Sequence, residues 1–122
     1  MTFLIADDSP PWRRFIRSIF RADDKITECC NGMEAVAAYE RERPDWVVMD
    51  IIMDKLDGLG AAGEIKARHP DARIVLVTQF SDPLFQEAAQ RLGAEGYVLK
   101  DDLTRLEQIL WPHGREATVG QA

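Results

Sequence analysis

The 122-residue chain is predicted to fold as an α/β protein built on a doubly wound parallel sheet. Two observations predict this. Five short apolar runs alternate with five segments of helical periodicity, and such repetition requires parallel strands with helices on both faces and right-handed crossovers. Three of the runs also finish in charge: Phe3-Leu4-Ile5-Ala6 in Asp7-Asp8, Trp46-Val47-Val48-Met49 in Asp50, and Gly96-Tyr97-Val98-Leu99 in Lys100. Carboxylates beside such runs are uncommon unless something pairs with them, so the three runs suggest one site at one edge of a sheet.

The strands are expected at Phe3–Ala6, Ile26–Cys29, Trp46–Met49, Ile74–Val77 and Gly96–Leu99. Helix one places Trp12, Phe15, Ile16, Ile19 and Phe20 on one apolar face at 3.6-residue spacing. Ser9-Pro10-Pro11 starts it, and Pro11 is expected as its first helical residue because a residue before proline avoids the helical region. Helix two follows Asn31-Gly32, carries Ala35, Val36 and Tyr39, and stops at Pro44. Helix three runs from about Leu59 to Arg68 and ends at His69-Pro70. Asp82-Pro83 caps helix four, whose face is Leu84, Phe85, Ala88, Ala89 and Leu92, and Gly93 closes it. Helix five carries Leu103, Leu106, Ile109 and Leu110. One domain over residues 1–111 is followed by a polar tail, 112–122, expected to be mobile.

Composition excludes several classes of function. A formal net charge of −6 argues against direct binding of nucleic acid. No apolar stretch is long enough to span a bilayer, and Met1-Thr2-Phe3 lacks the basic region of a signal peptide. The adjacent Cys29 and Cys30 match no zinc or redox spacing and read as reduced packing residues of a cytoplasmic protein. Trp12, Trp46 and Trp111 read as core or helix-face anchors, and His69 and His113 as surface residues.

In an open parallel sheet, ligands bind beyond the carboxyl ends of the strands, where the strand order reverses. With the order 2-1-3-4-5 taken as the working topology, that crevice lies between strands one and three, which end in Asp7, Asp8 and Asp50. Thr78 and Lys100 end strands four and five and would face the same crevice. Clustered carboxylates repel one another and call for a cation, and oxygen-only ligands select a hard ion such as magnesium. An aspartate can act as a nucleophile toward phosphorus. A lysine, a hydroxyl and a metal can neutralise the transferring phosphoryl oxygens.

These residues resemble the receiver domain of two-component response regulators. The resemblance rests on Leu4-Ile5-Ala6-Asp7-Asp8-Ser9, on Asp50-Ile51-Ile52-Met53 with Asp57-Gly58, on Val75-Leu76-Val77-Thr78 and on Gly96-Tyr97-Val98-Leu99-Lys100. Asn31-Gly32-Met33-Glu34-Ala35, His69-Pro70-Asp71-Ala72-Arg73 and Leu92-Gly93-Ala94-Glu95-Gly96 add to it, and it covers roughly residues 2–111. It is similar to receivers that usually precede a helix-turn-helix output domain. The resemblance implies a flavodoxin-like (βα)5 fold with strand order 2-1-3-4-5. It implies that Asp50 accepts a phosphoryl group from a sensor histidine kinase and that the chain is a phosphoacceptor rather than an enzyme. Asp8, Asp50 and the backbone carbonyl of Ile52 would hold Mg2+, with Asp7 helping. Thr78 and Lys100 would contact the phosphoryl group, and Tyr97 would be the switch aromatic that follows Thr78. Helix four, strand five and helix five would form the readout surface; a homodimer on phosphorylation, an output domain or a partner protein is implied as well, with no face of the chain assigned to the dimer.

The sequence departs from that pattern in places. Asp54 stands where the family usually has proline, so the loop loses a fixed φ and gains an acid. Gly60 and Gly63 each weaken a helix interior by roughly 0.5–1 kcal/mol relative to alanine. The stretch 51–63 is therefore expected to be unusually mobile. Gln79 is larger than the residue usually found after the threonine, and Ile52 and Phe80 are apolar and cannot orient an attacking water. Slow hydrolysis of the phosphorylated form is expected, and Asp54 and Gln79 keep open a second reading, an interaction domain that works without phosphorylation. A flavin or nucleotide site fails on electrostatics, since Asp7-Asp8 would repel a phosphate without metal. A magnesium-dependent phosphatase would want a second catalytic acid where Ile52 stands.

Overall fold

A computed structural model describes residues 1–114; most of the expected mobile tail, 115–122, lies outside the described residues. Five strands and five helices alternate as β1 (Thr2–Ala6), α1 (Pro10–Arg17), β2 (Lys25–Cys29), α2 (Gly32–Glu42), β3 (Trp46–Asp50), α3 (Gly58–Arg68), β4 (Ile74–Thr78), α4 (Pro83–Leu92), β5 (Gly96–Leu99) and α5 (Leu103–Leu110). The strands form one sheet in the order β2-β1-β3-β4-β5. Every pairing is parallel, with Ala6 opposite Met49, Asp50 opposite Val77 and Thr78 opposite Leu99. The expected α/β topology is the observed one.

Alternation along the strands divides the core in two. Leu4, Ala6, Val47, Met49, Ile74 and Leu76 pack on the α2, α3 and α4 side with Ala35, Ala61 and Ala89. Phe3, Ile5, Val48, Val75, Val77 and Val98 pack on the α1 and α5 side with Ile16, Leu106 and Leu110. Burial on both faces explains why β1, β3 and β4 read as continuous apolar runs rather than alternating ones, whereas the edge strand β2 is largely open to solvent. Trp46 and Trp111 anchor this core as expected. Arg73 lies over the Trp46 ring at 4.5 Å, and Trp111 meets Phe3 and Phe20 at 5.8 and 5.5 Å.

The helix ends follow their caps. Asn31, Asp57, Asp82 and Asp102 each accept a backbone N–H of the helix they precede, satisfying donors with no partner inside the helix. Gly93 closes α4 at φ 84°, a left-handed position that suits glycine. Three details of α1 differ from the sequence expectation. It begins at Pro10, because the Arg13 amide already donates to the Ser9 carbonyl at 3.0 Å and closes the first turn; the pre-proline restriction on Pro10 is a preference that this turn outweighs. It also ends at Arg17, so Ile19 and Phe20 lie in the turn that follows rather than in the helix, and the apolar face splits: Ile16 and Ile19 enter the core, whereas Phe15 is exposed and Trp12 is only half-buried. Cys29 is buried and Cys30 exposed, both as free thiols, and burial pushes the Cys29 thiol up to about 11. Only Cys29 is thus a packing residue.

Candidate functional site

The strand order brings the ends of β1 and β3 side by side, with those of β4 and β5 next to them. At this edge Asp7 is 0% exposed, Thr78 1%, Lys100 5% and Asp50 6%, while Asp8 is exposed. Four buried polar groups at one edge of an apolar sheet must pair with one another or bind something, since an unpaired buried charge is expensive. Lys100 Nζ lies 2.9 Å from Asp7 Oδ2 and 3.3 Å from Asp50 Oδ2. One ammonium therefore serves two carboxylates, which leaves the pair short of positive charge.

The partners of each acid are unequal. Asp7 Oδ1 accepts the Ser9 amide at 2.9 Å, which ties the end of β1 to the start of α1. Asp7 Oδ2 contacts Lys100 as an ion pair without the direction of a hydrogen bond, so this buried oxygen has no hydrogen-bond partner among the described residues. Asp50 Oδ2 accepts from Lys100, and its Oδ1 accepts the Ile52 amide at 3.4 Å. Burial pushes the Asp50 carboxyl up from 3.8 to about 6, with the Asp7 charge adding to the rise and Lys100 opposing it.

Asp7, Asp8 and Asp50 each offer an oxygen within 4.8 Å of the others. The donors are all hard oxygens, one of them buried without a hydrogen bond among the described residues, and Asp7 and Asp50 share the Lys100 ammonium. This set fits a hard divalent cation such as magnesium.

A cleft of about 290 Å3 opens over these groups, lined by Asp8, Ser9, Trp12, Asp50, Ile52, Thr78, Gln79, Phe80 and Lys100. The β4 side is locally ordered: the Thr78 hydroxyl accepts the Phe80 amide at 3.2 Å, and Tyr97 Oη donates to the Phe80 carbonyl at 2.5 Å. The Lys100 amide donates to the Thr78 carbonyl at 2.8 Å, fixing the ends of β4 and β5 to each other. The β3 side needs glycine. A Cβ on Gly58 would stand 1.9 Å from the Asp50 carbonyl oxygen, so α3 approaches the end of β3 only without a side chain there.

Asp7, Asp8, Asp50, Thr78 and Lys100, the five residues that the sequence places at this crevice, are brought together there, and Tyr97 is joined to it through the Phe80 carbonyl. The sequence places Trp12 near Asp7 and Asp8; its contact with Lys100 is what sequence reasoning misses. Its helical spacing suggests a core anchor, but its ring faces Lys100 Nζ at 4.9 Å and lines the cleft. The available signal is its position four residues after Asp8, one turn into the helix that leaves the crevice.

A doubly wound sheet with three acids, a threonine and a buried lysine at its carboxyl edge defines a receiver-type signalling domain. The family model of the response regulator receiver domain matches residues 3–110, and the chain belongs to that family. It is 33% identical to the uncharacterized transcriptional regulatory protein YhcZ of Bacillus subtilis, across all of this chain and 59% of that protein. It is 38% identical to the chemotaxis protein CheY of Halobacterium salinarum, across 80% of this chain and 82% of that protein. A LuxR-family two-component response regulator from Aurantimonas sp. SI85-9A1 superposes with a TM-score of 0.79 at 29% identity, covering 91% of this chain and 85% of that one. The chain thus spans about three fifths of YhcZ and most of the chemotaxis protein. Receiver domains are signalling phosphoacceptors rather than classical enzymes, and they bind Mg2+ at an acidic pocket. No helix among the described residues is long and apolar enough to cross a membrane.

Proposed function

We propose that the chain is a phosphorylation-controlled module of the cytoplasm in which Asp50 accepts a phosphoryl group from a sensor histidine kinase. The observation that carries this reading is the Asp50 carboxylate itself. It is buried at the end of β3, shares one lysine with Asp7, and opens onto a cleft bordered by a hydroxyl. An Asp50 oxygen attacks phosphorus, the bond from phosphorus to the donor imidazole nitrogen breaks with its electron pair going to that nitrogen, and the ring, already protonated on its other nitrogen, leaves as neutral imidazole. With its carboxyl titrating at about 6, Asp50 is mostly ionised at neutral pH and available as the nucleophile. Asp7, Asp8, Asp50 and the Ile52 carbonyl would hold Mg2+, which when bound supplies charge neutralisation for the phosphoryl oxygens.

Lys100 then exchanges its Asp50 contact for a phosphoryl oxygen, and the Thr78 hydroxyl donates to another. Before phosphorylation, Thr78 Oγ1 accepts the Phe80 amide, and the Phe80 carbonyl accepts from Tyr97. Drawing Thr78 toward Asp50 therefore disturbs the turn that Tyr97 holds, and this is the route to the surface of α4, β5 and α5. That surface would serve a homodimer, an output domain or a partner protein.

Intact mass after incubation with acetyl phosphate and Mg2+ should show one phosphoryl group on the wild type and none on Asp50→Asn. An adduct on the variant would place the site elsewhere. The adduct should decay slowly, because Ile52 and Phe80 line the cleft without a group to orient water. Ile52→Asn combined with Phe80→Glu should shorten its lifetime in the same assay, and an unchanged lifetime would refute that part. Gln79 also lines the cleft and supports the second reading, a receiver-like interaction domain that works without phosphate. Failure of the wild type to bind beryllofluoride with Mg2+ would favour it.

A further inference from the structure

We propose that Trp12 is the positioning residue for Lys100, its ring face holding the ammonium between Asp50 and Asp7; the role in phosphoryl transfer rests on the reading of Asp50 as phosphoacceptor. Among the described residues, Lys100 Nζ contacts Asp7 Oδ2 at 2.9 Å, Asp50 Oδ2 at 3.3 Å and the Trp12 ring, whose centroid is 4.9 Å away. An ammonium carries three N–H groups, and two carboxylates occupy only part of its surroundings. A tryptophan face within about 6 Å is the strongest aromatic partner for such a cation. It also excludes the water that would otherwise hydrate the ammonium, which agrees with the 5% exposure of Lys100.

The backbone that carries the ring is fixed at the end of β1. Trp12 follows Pro10-Pro11, whose rings fix φ in the first turn of α1. That turn is fastened to the end of β1 by the Ser9 amide on Asp7 Oδ1 and by Arg13 Nη1 donating to the Asp7 carbonyl at 2.5 Å. Phe15 supports the ring edge-on at 5.5 Å. Lysine, in contrast, is a point charge on a flexible four-carbon stem and takes its position from its surroundings. Without the ring the ammonium can turn toward Asp7 or toward water. With it, the ammonium stays at the mouth of the cleft, where a transferring phosphoryl group needs a cation already in place.

The test uses the whole chain with acetyl phosphate and Mg2+. Trp12→Leu and Trp12→Met keep apolar bulk without a ring, and either suffices if the other folds poorly. Each should slow phosphorylation by about three- to tenfold, while Trp12→Phe stays within about twofold of the wild type. In a Lys100→Met background the same Trp12 substitutions should have no further effect, because their action passes through the lysine. A second measurement needs no phosphoryl chemistry: exchange of the Lys100 ammonium protons, followed by NMR in metal-free protein. Loss of the ring should accelerate it several-fold, and Trp12→Phe should restore protection. Wild-type rates in the ringless variants would overturn the proposal, as would an equal slowing with Lys100 absent, which would make Trp12 a packing residue. A wild type that takes up no phosphoryl group would instead refute the reading of Asp50, leaving ammonium exchange to decide whether Trp12 holds Lys100.

Discussion

Asp50 is an acid that the fold keeps partly against its own charge. Burial lifts its carboxyl from 3.8 to about 6, so the folded chain binds this proton more tightly than the unfolded chain does. Stability from this group is therefore fully present below about pH 4 and is lost as pH rises through about 6. Replacing Asp50 with asparagine removes that loss and leaves Lys100 paired with Asp7. In metal-free buffer at pH 7.5, Asp50→Asn should be more stable than the wild type by roughly 1–3 kcal/mol. The advantage should shrink toward pH 4, as chemical denaturation at several pH values would reveal. A difference that is constant across that range would mean that packing, not charge, separates the two proteins. The same burial explains why Asp50 is legible in the sequence: an acid between Met49 and Ile51 has no solvent to turn to. Trp12 is less legible because a tryptophan at helical spacing reads equally as core, and only the three-dimensional approach to Lys100 separates the two.

At the scale of elements, the stretch 51–63 combines anchored and open positions. The Gly58 amide donates to the Ile51 carbonyl at 2.7 Å, and Ile51 and Met53 are buried. The residues between Met53 and Asp57 form bends, with Lys55 at φ 65° in the left-handed region. Asp54 and Lys55 are exposed, whereas Leu56 packs on the core beside Gly32, so the stretch expected to be mobile is anchored on both sides of these two residues. The glycines of α3 differ in kind. A methyl group on Gly58 would meet the Asp50 carbonyl, whereas one on Gly63 would have nothing within 4 Å. Gly63→Ala should therefore stabilise the protein by about 0.5–1 kcal/mol, the helix-propensity difference. Gly58→Ala should destabilise it by several times that amount, on the order of 2–4 kcal/mol, by pushing α3 off β3. Thermal melts of the two variants shifting in the same direction would contradict this division. The elements themselves are legible because apolar period and capping residues agree at nearly every boundary. The start of α1 lies one residue earlier than expected because a hydrogen bond, invisible in the sequence, overrides a backbone preference.

Across the whole molecule, one arrangement links stability to the site. A parallel sheet in the order β2-β1-β3-β4-β5 necessarily gathers the ends of β1 and β3 at its crossover point, and this chain fills that point with acids. Strand patterns alone do not yield that order, because β1, β3 and β4 are all buried on both faces and periodicity carries no neighbour information. The strand-end charges supply what the strands cannot. Three carboxylates facing one lysine leave the apo fold under repulsion that a divalent cation relieves, so Mg2+ should stabilise the folded chain by mass action. At one hundred times its dissociation constant the gain is about 2.7 kcal/mol. Asp8 is exposed and makes no ion pair among the described residues. Asp8→Ala should consequently leave metal-free stability within about 0.5 kcal/mol of the wild type while removing most of the magnesium gain. Sodium chloride at matched ionic strength should not reproduce that gain, since screening acts weakly on buried pairs. A variant that gains as much from Mg2+ as the wild type would show that the cation acts elsewhere than among Asp7, Asp8 and Asp50.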